Sequence, residues 1–137
     1  YQKGIDYTNK ALKVDERIAK AYYIKGSIYR ESGDTARALS SLETAAEQDN
    51  KYKDAFYDIG VMYAARKNPI AFEYYDNVLR IDPTNQDALY ARAKLLQDLG
   101  KTDEAIKEYE LLTGAESQCE TCHYNLGAIF LEIKKDN

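Results

Sequence analysis

Small and apolar residues recur along this chain at helical spacing, and the pattern itself recurs. Across residues 19–32, Tyr22, Gly26 and Tyr29 fall at i, i+4 and i+7 among charged positions, which predicts one stripe of a helix. Gly33-Asp34 breaks that helix. Residues 35–48 repeat the spacing with Ala38, Leu42 and Ala45, predicting a second helix antiparallel to the first. The same pair is expected over residues 52–81, where Pro69 should open the second helix because a first-turn proline lacks only an N–H that would be unsatisfied anyway. A third pair is expected over residues 86–113, broken at Leu99-Gly100. Ser117 and Glu120 have capping-box spacing ahead of one last helix.

These units share one register. Gly26 steps to Gly60, Ala93 and Gly127 at intervals of 34, 33 and 34 residues. The same steps take Tyr29 to Tyr63, Leu96 and Phe130, and Tyr22 to Phe56, Leu89 and His123. They also take Gly4 to Ala38, Ala71 and Ala105, and Asp15 to Asp49, Asp82 and Glu116. The single shorter step falls around Lys67, Asn68 and Pro69, where a turn accepts a deletion. Small residues at Gly26, Gly60, Ala93 and Gly127 would admit close approach of the facing helix at Ala38, Ala71 and Ala105. The expected organisation is a truncated repeat over residues 1–18 that supplies only a second helix, with Gly4, Thr8 and Ala11 in its register. Full repeats follow over 19–51, 52–85 and 86–118, then a first helix alone over 119–137. Such ends imply a piece of a longer protein. Leu126, Ile129, Phe130 and Ile133 would lack a covering helix, so association through the ends is expected at high concentration.

The pattern resembles the tetratricopeptide repeat, W-x2-L-G-x2-Y, then A-x3-F, then P. Its best copy is Phe56, Ile59, Gly60, Tyr63, Ala71, Tyr75, Pro83; an earlier copy places Lys25 in the leucine slot and a later one Arg92. The resemblance implies an all-α, right-handed superhelix of antiparallel hairpins whose first helices line a concave groove. By that register the groove holds Tyr23, Tyr57, Tyr90 and Tyr124, flanked by Lys20, Ser27 and Arg30, then Asp54, Val61 and Ala64. Asp87, Lys94 and Gln97 follow in the third repeat, with Thr121, Ala128 and Leu131 in the last. A tyrosine ladder suits peptide contact, and equally suits packing between neighbouring first helices. A carboxylate clamp of the kind used by chaperone-binding members is not expected: its Lys, Asn and Arg slots hold Tyr23, Ser27, Asp58, Asp87 and Ala91. The implied function is a non-enzymatic scaffold for a protein or peptide; the alternative is self-assembly through the ends.

Composition narrows the remainder. With 45% hydrophobic and 31% charged residues the chain reads as soluble and globular. A net charge of −4 with interspersed signs argues against nucleic acid, which calls for clustered Lys and Arg. There is no apolar run of membrane-spanning length and no leader pattern, and the compartment stays open between cytoplasm and bacterial periplasm. Neither a GxSxG nor a phosphate-loop motif occurs, so no enzyme activity and no cofactor are expected. The one exception to examine is Cys119-Glu-Thr-Cys122-His123, a C-x-x-C-H string that could attach haem or act in redox chemistry. Its context argues for two ordinary helix-start cysteines, with His123 packed between helices, because the repeat register continues undisturbed through Leu126, Gly127 and Phe130.

Overall fold

The computed structural model describes residues 2–113 and 120–136. Seven helices follow one another: α1 (Gln2–Glu31), α2 (Thr35–Gln48), α3 (Lys53–Ala64), α4 (Ala71–Ile81), α5 (Gln86–Asp98), α6 (Thr102–Leu112) and α7 (Glu120–Asp136). No strand occurs among the described residues. Each helix packs on its neighbours in sequence, and α3 also meets α5, so α1/α2, α3/α4 and α5/α6 are hairpins stacked in series.

The turns follow from local chemistry. Gly33 and Gly100 take left-handed backbone, φ 85° and 77°. From there the Asp34 N–H reaches back to the Tyr29 carbonyl and the Lys101 N–H to that of Leu96, which satisfies the ends of α1 and α5. Lys67 holds the left-handed position (φ 55°) in the shortened second repeat, and the Asn68 N–H reaches the Tyr63 carbonyl. Pro69 lies in that turn, two residues before α4 begins, and not at the first helical position expected for it. Asp34 and Asn85 cap α2 and α5 by accepting from the N–H groups of Arg37 (3.1 Å) and Ala88 (2.9 Å).

The expected break between residues 14 and 19 is absent: α1 runs unbroken for 30 residues. The reason is visible by register. After Asp82 come Pro83, Thr84 and Asn85, which interrupt and cap, whereas Asp15 is followed by Glu16, Arg17 and Ile18, all of which continue a helix. The slots of Gly4, Thr8 and Ala11 concern side chains outside the described ones, and the capping box at Ser117 lies outside the described residues.

The packing confirms close helix approach at two of the glycines. A Cβ on Gly26 would lie 2.8 Å from Leu42 Cγ, and one on Gly60 would lie 2.6 Å from Tyr75 Cε1. Ala93 is fully buried beside Tyr109 in the largest core cluster. The buried aromatics are Tyr75 and Tyr109, on the second helices. Tyr29 and Tyr63, the large residues of the same register on the first helices, are only half-buried: Tyr29 lies under the cations of Lys25 and Arg37, and Tyr63 stacks on Tyr74 at 5.7 Å.

At the far end, Gly127, Phe130 and His123 are exposed, since the slots they fill face a second helix and α7 is the last helix here. The expected interhelical packing of His123 is therefore not found. Leu126 and Ile129, expected to be uncovered, are buried in the cluster that α5, α6 and α7 share; Phe130 and Ile133 do stay exposed.

The third repeat pairs the charge in its leucine slot with acids on both neighbouring second helices. Arg92 reaches Asp76 on α4 at 3.1 Å and Glu108 on α6, whose Oε2 is buried without a partner. Arg92→Leu alone should lower stability by about 1 kcal/mol, because it strands a mostly buried carboxylate, a cost moderated by the remaining exposure of the pair. The double change Arg92→Leu with Glu108→Leu should recover that loss. Urea unfolding of the two variants checks this, and a double variant no more stable than the single one counts against it.

Candidate interaction groove

The first helices of the hairpins, together with α7, bring the four register tyrosines onto one face, but they do not leave them equivalent. Tyr23 donates to Asp58 Oδ2 at 2.7 Å, and Arg30 pairs with the same carboxylate at 3.8 Å. The Tyr23 ring meets Tyr52 edge-on at 5.2 Å. Burial, and then the bond to Asp58, push the Tyr23 hydroxyl well above its ordinary pKa, so it stays a donor. Burial also raises the Asp58 carboxyl, against the opposing pull of the Tyr23 bond and Arg30.

Tyr90 is tied in the same way one repeat further on. Asn125 Nδ2 donates to Tyr90 Oη and to Tyr109 Oη, both at 3.2 Å. Tyr109 Oη in turn donates to Gln97 Oε1 at 3.0 Å. Burial pushes the Tyr109 hydroxyl up to about 12, with the Asn125 bond working the other way.

A rule emerges from these two pairs. The groove tyrosine of one repeat bonds the residue that follows the groove tyrosine of the next: Tyr23 to Asp58, Tyr90 to Asn125. Tyr57 should find its partner at position 91, and position 91 is alanine. Its hydroxyl accordingly hydrogen-bonds to none of the described residues. Tyr57 is half-buried, its ring 6.1 Å from that of Tyr75. Its hydroxyl pKa is raised first by burial and then by the negative field of Asp87 and Asp58.

Beside Tyr57 the missing rung leaves a cavity of about 280 Å³ between α3 and α5. Val61, Ala64, Ala65, Ala91 and Leu95 line it with apolar groups, together with Tyr57, Tyr75, Tyr90, Lys94 and Asp98. The spacing explains the wall: Tyr57, Val61 and Ala64 stand at i, i+4 and i+7 on α3.

The other positions sort by partner. Lys20 is exposed and pairs with no described acid, Arg30 is held by Asp58, and Lys94 is held by Asp98 at 3.5 Å. Asp54 and Asp87 are exposed and pair with no described cation. Tyr124 is 76% exposed, at the end of the row. Sequence reasoning did not find Asp58 and Asn125 as tyrosine partners; the signal was there, in the residue one place after each repeat's groove tyrosine.

Cys122 is buried and disulfide-bonded, while Cys119 lies outside the described residues, and with it the C-x-x-C-H reading. Among the described residues, no group of three or more His, Cys, Asp or Glu could hold a metal ion. None of the described helices is long and apolar enough to cross a membrane.

Stacked antiparallel hairpins whose first helices share one face define an α-α solenoid. Two tetratricopeptide-repeat family models match residues 19–52 and 70–126, and the chain belongs to the tetratricopeptide repeat family, with its right-handed superhelix. Over its whole length it is 29% identical to a stretch of anaphase-promoting complex subunit 3 of Schizosaccharomyces pombe, covering 21% of that protein. Over 98% of its length it is 27% identical to the BBSome complex member BBS4 of Bos taurus, covering 26% of it. The chain thus spans about a fifth to a quarter of these relatives. Among solved structures, the first TPR of Spaghetti (RPAP3), bound to the HSP90 peptide SRMEEVD, superposes with a TM-score of 0.76 at 18% identity, covering 87% of this chain and 98% of that one. At that identity the likeness is one of fold.

Proposed function

We infer that this chain is a non-enzymatic scaffold that holds a protein segment against α3 and α5. Proteins of this family generally mediate contacts between proteins. The observation that carries the reading is Tyr57: a groove tyrosine whose hydroxyl bonds to none of the described residues, lining a largely apolar cavity. Its counterparts Tyr23 and Tyr90 spend their hydroxyls on neighbouring helices. Both relatives are, by name, components of multiprotein complexes, which fits a role in holding subunits together.

Tyr57→Ala is therefore the informative substitution. Tyr90→Ala would also remove a partner of Asn125, so its effect on binding would mix with an effect on packing. Tyr57→Ala should cost only about 1–2 kcal/mol of stability, since the ring is half-buried, while proteins that co-purify with the wild type are lost. Recovery of the same proteins by the folded variant would sink the groove reading.

A second reading, association through the ends, has its own support. Ile28 is 61% exposed on α1, while its register equivalents Leu95 and Ile129 are 1% and 2% exposed. Ile24 on α1 and Phe130 and Leu131 on α7 add uncovered apolar area. Sedimentation at millimolar concentration showing only monomer would remove this reading.

A further inference from the structure

The cavity between α3 and α5 is suited to one side chain, and the charges around it are unbalanced. Its volume of about 280 Å³ lies just under the roughly 300–1,000 Å³ typical of sites for small molecules. The wall is mainly apolar: Val61, Ala64, Ala91 and Leu95, with the Tyr75 ring beside that of Tyr57. Selectivity for charge must then come from the ionised groups around it. Lys94 lines the cavity and is engaged by Asp98, and Arg30, whose charge also reaches Tyr57, is engaged by Asp58. Asp87 is exposed and pairs with no described cation, and the Tyr57 hydroxyl, bonded to none of the described residues, sits in its field. Lys20 is the exception, an unpaired cation one repeat earlier, on α1.

We propose that the cavity takes a single large apolar side chain, Leu, Met or Phe, from a basic partner segment whose flanking Lys or Arg meets Asp87. This rests on the groove reading above and specifies the partner's chemistry. A cation beside Asp87 would also face the Tyr57 hydroxyl oxygen, which can accept from it. An acidic tail is the opposite choice: it would bring carboxylates toward Asp87, which pairs with no described cation.

The test is selection of random 12-residue peptides displayed on phage against the immobilised chain, followed by anisotropy titrations of the enriched sequences as labelled peptides. Enrichment of one large apolar residue near Lys or Arg is expected, with affinity falling as salt rises. Asp87→Lys should weaken such peptides by roughly tenfold or more through like-charge juxtaposition. Ala64→Trp, which fills the cavity, should abolish their binding, with thermal unfolding confirming that the variant is folded. Peptides that are acidic or uncharged yet still lost on Ala64→Trp overturn the proposed chemistry and leave the groove reading standing. Peptides indifferent to both Ala64→Trp and Tyr57→Ala overturn the groove reading itself. No enrichment at all counts against both. If Ala64→Trp instead abolishes self-association in sedimentation, a second copy is the occupant and the basic-segment proposal fails.

Discussion

Tyr109→Ala should lower the unfolding free energy by about 3–5 kcal/mol, the range for removing a large side chain from a packed core. Tyr109 is fully buried and sits in the cluster that joins α5, α6 and α7. Truncation opens a cavity among Ala93, Leu112 and Cys122, which are too small or too constrained by their helices to collapse into it. It also removes one of the two acceptors of the Asn125 amide and the donor to Gln97. Tyr109→Phe separates the two contributions: it keeps the ring and should cost only about 1–2 kcal/mol, the penalty of unpaired polar groups that are partly exposed. Urea unfolding of both variants gives the comparison. A Phe variant as unstable as the Ala variant would mean that the hydrogen bonds, and not the ring, hold this end together.

Gly60→Ala should destabilise by about 2–3 kcal/mol net, while the equivalent Gly127→Ala stabilises by about 0.5–1 kcal/mol. Alanine outranks glycine in any helix interior, so propensity favours both changes alike. Packing divides them. The new methyl at position 60 would stand 2.6 Å from Cε1 and 2.9 Å from Cδ1 of Tyr75, a ring that is buried and flanked by Tyr57, so the two helices must part. At position 127 a Cβ meets nothing within 4 Å. Thermal unfolding of the pair reads the difference directly, and a Gly60→Ala protein as stable as the wild type would show that α3 and α4 do not meet as closely as described.

Much of this architecture was legible because a repeated contact leaves a repeated residue. Gly26 and Gly60 recur since each lies under a side chain of the facing helix, and their spacing gave the helix pairs, the turns at Gly33 and Gly100, and the shortened second repeat. What stayed hidden depends on neighbours that a periodic track does not name. The helix through Asp15 continues because nothing after it interrupts, although the aspartate itself keeps the register. The tyrosines at 23, 57, 90 and 124 looked alike as a ladder, yet their roles were decided one residue away, by Asp58, Ala91 and Asn125. His123 kept its register but not its burial, because its slot is filled from a facing second helix and α7 is the last helix among the described residues.

The length of α1 has a mechanical consequence. Thirty residues at 1.5 Å each make a rod about 45 Å long, while the 14 residues of α2 can lie along only about 21 Å of it. Along its whole length α1 keeps one ladder of backbone bonds, and α2 can steady only part of it. Amide exchange should accordingly be slow around Gly26, where Leu42 clamps the helix. A continuous rod of that kind transmits force along its axis, from beyond the reach of α2 to the clamp at Gly26.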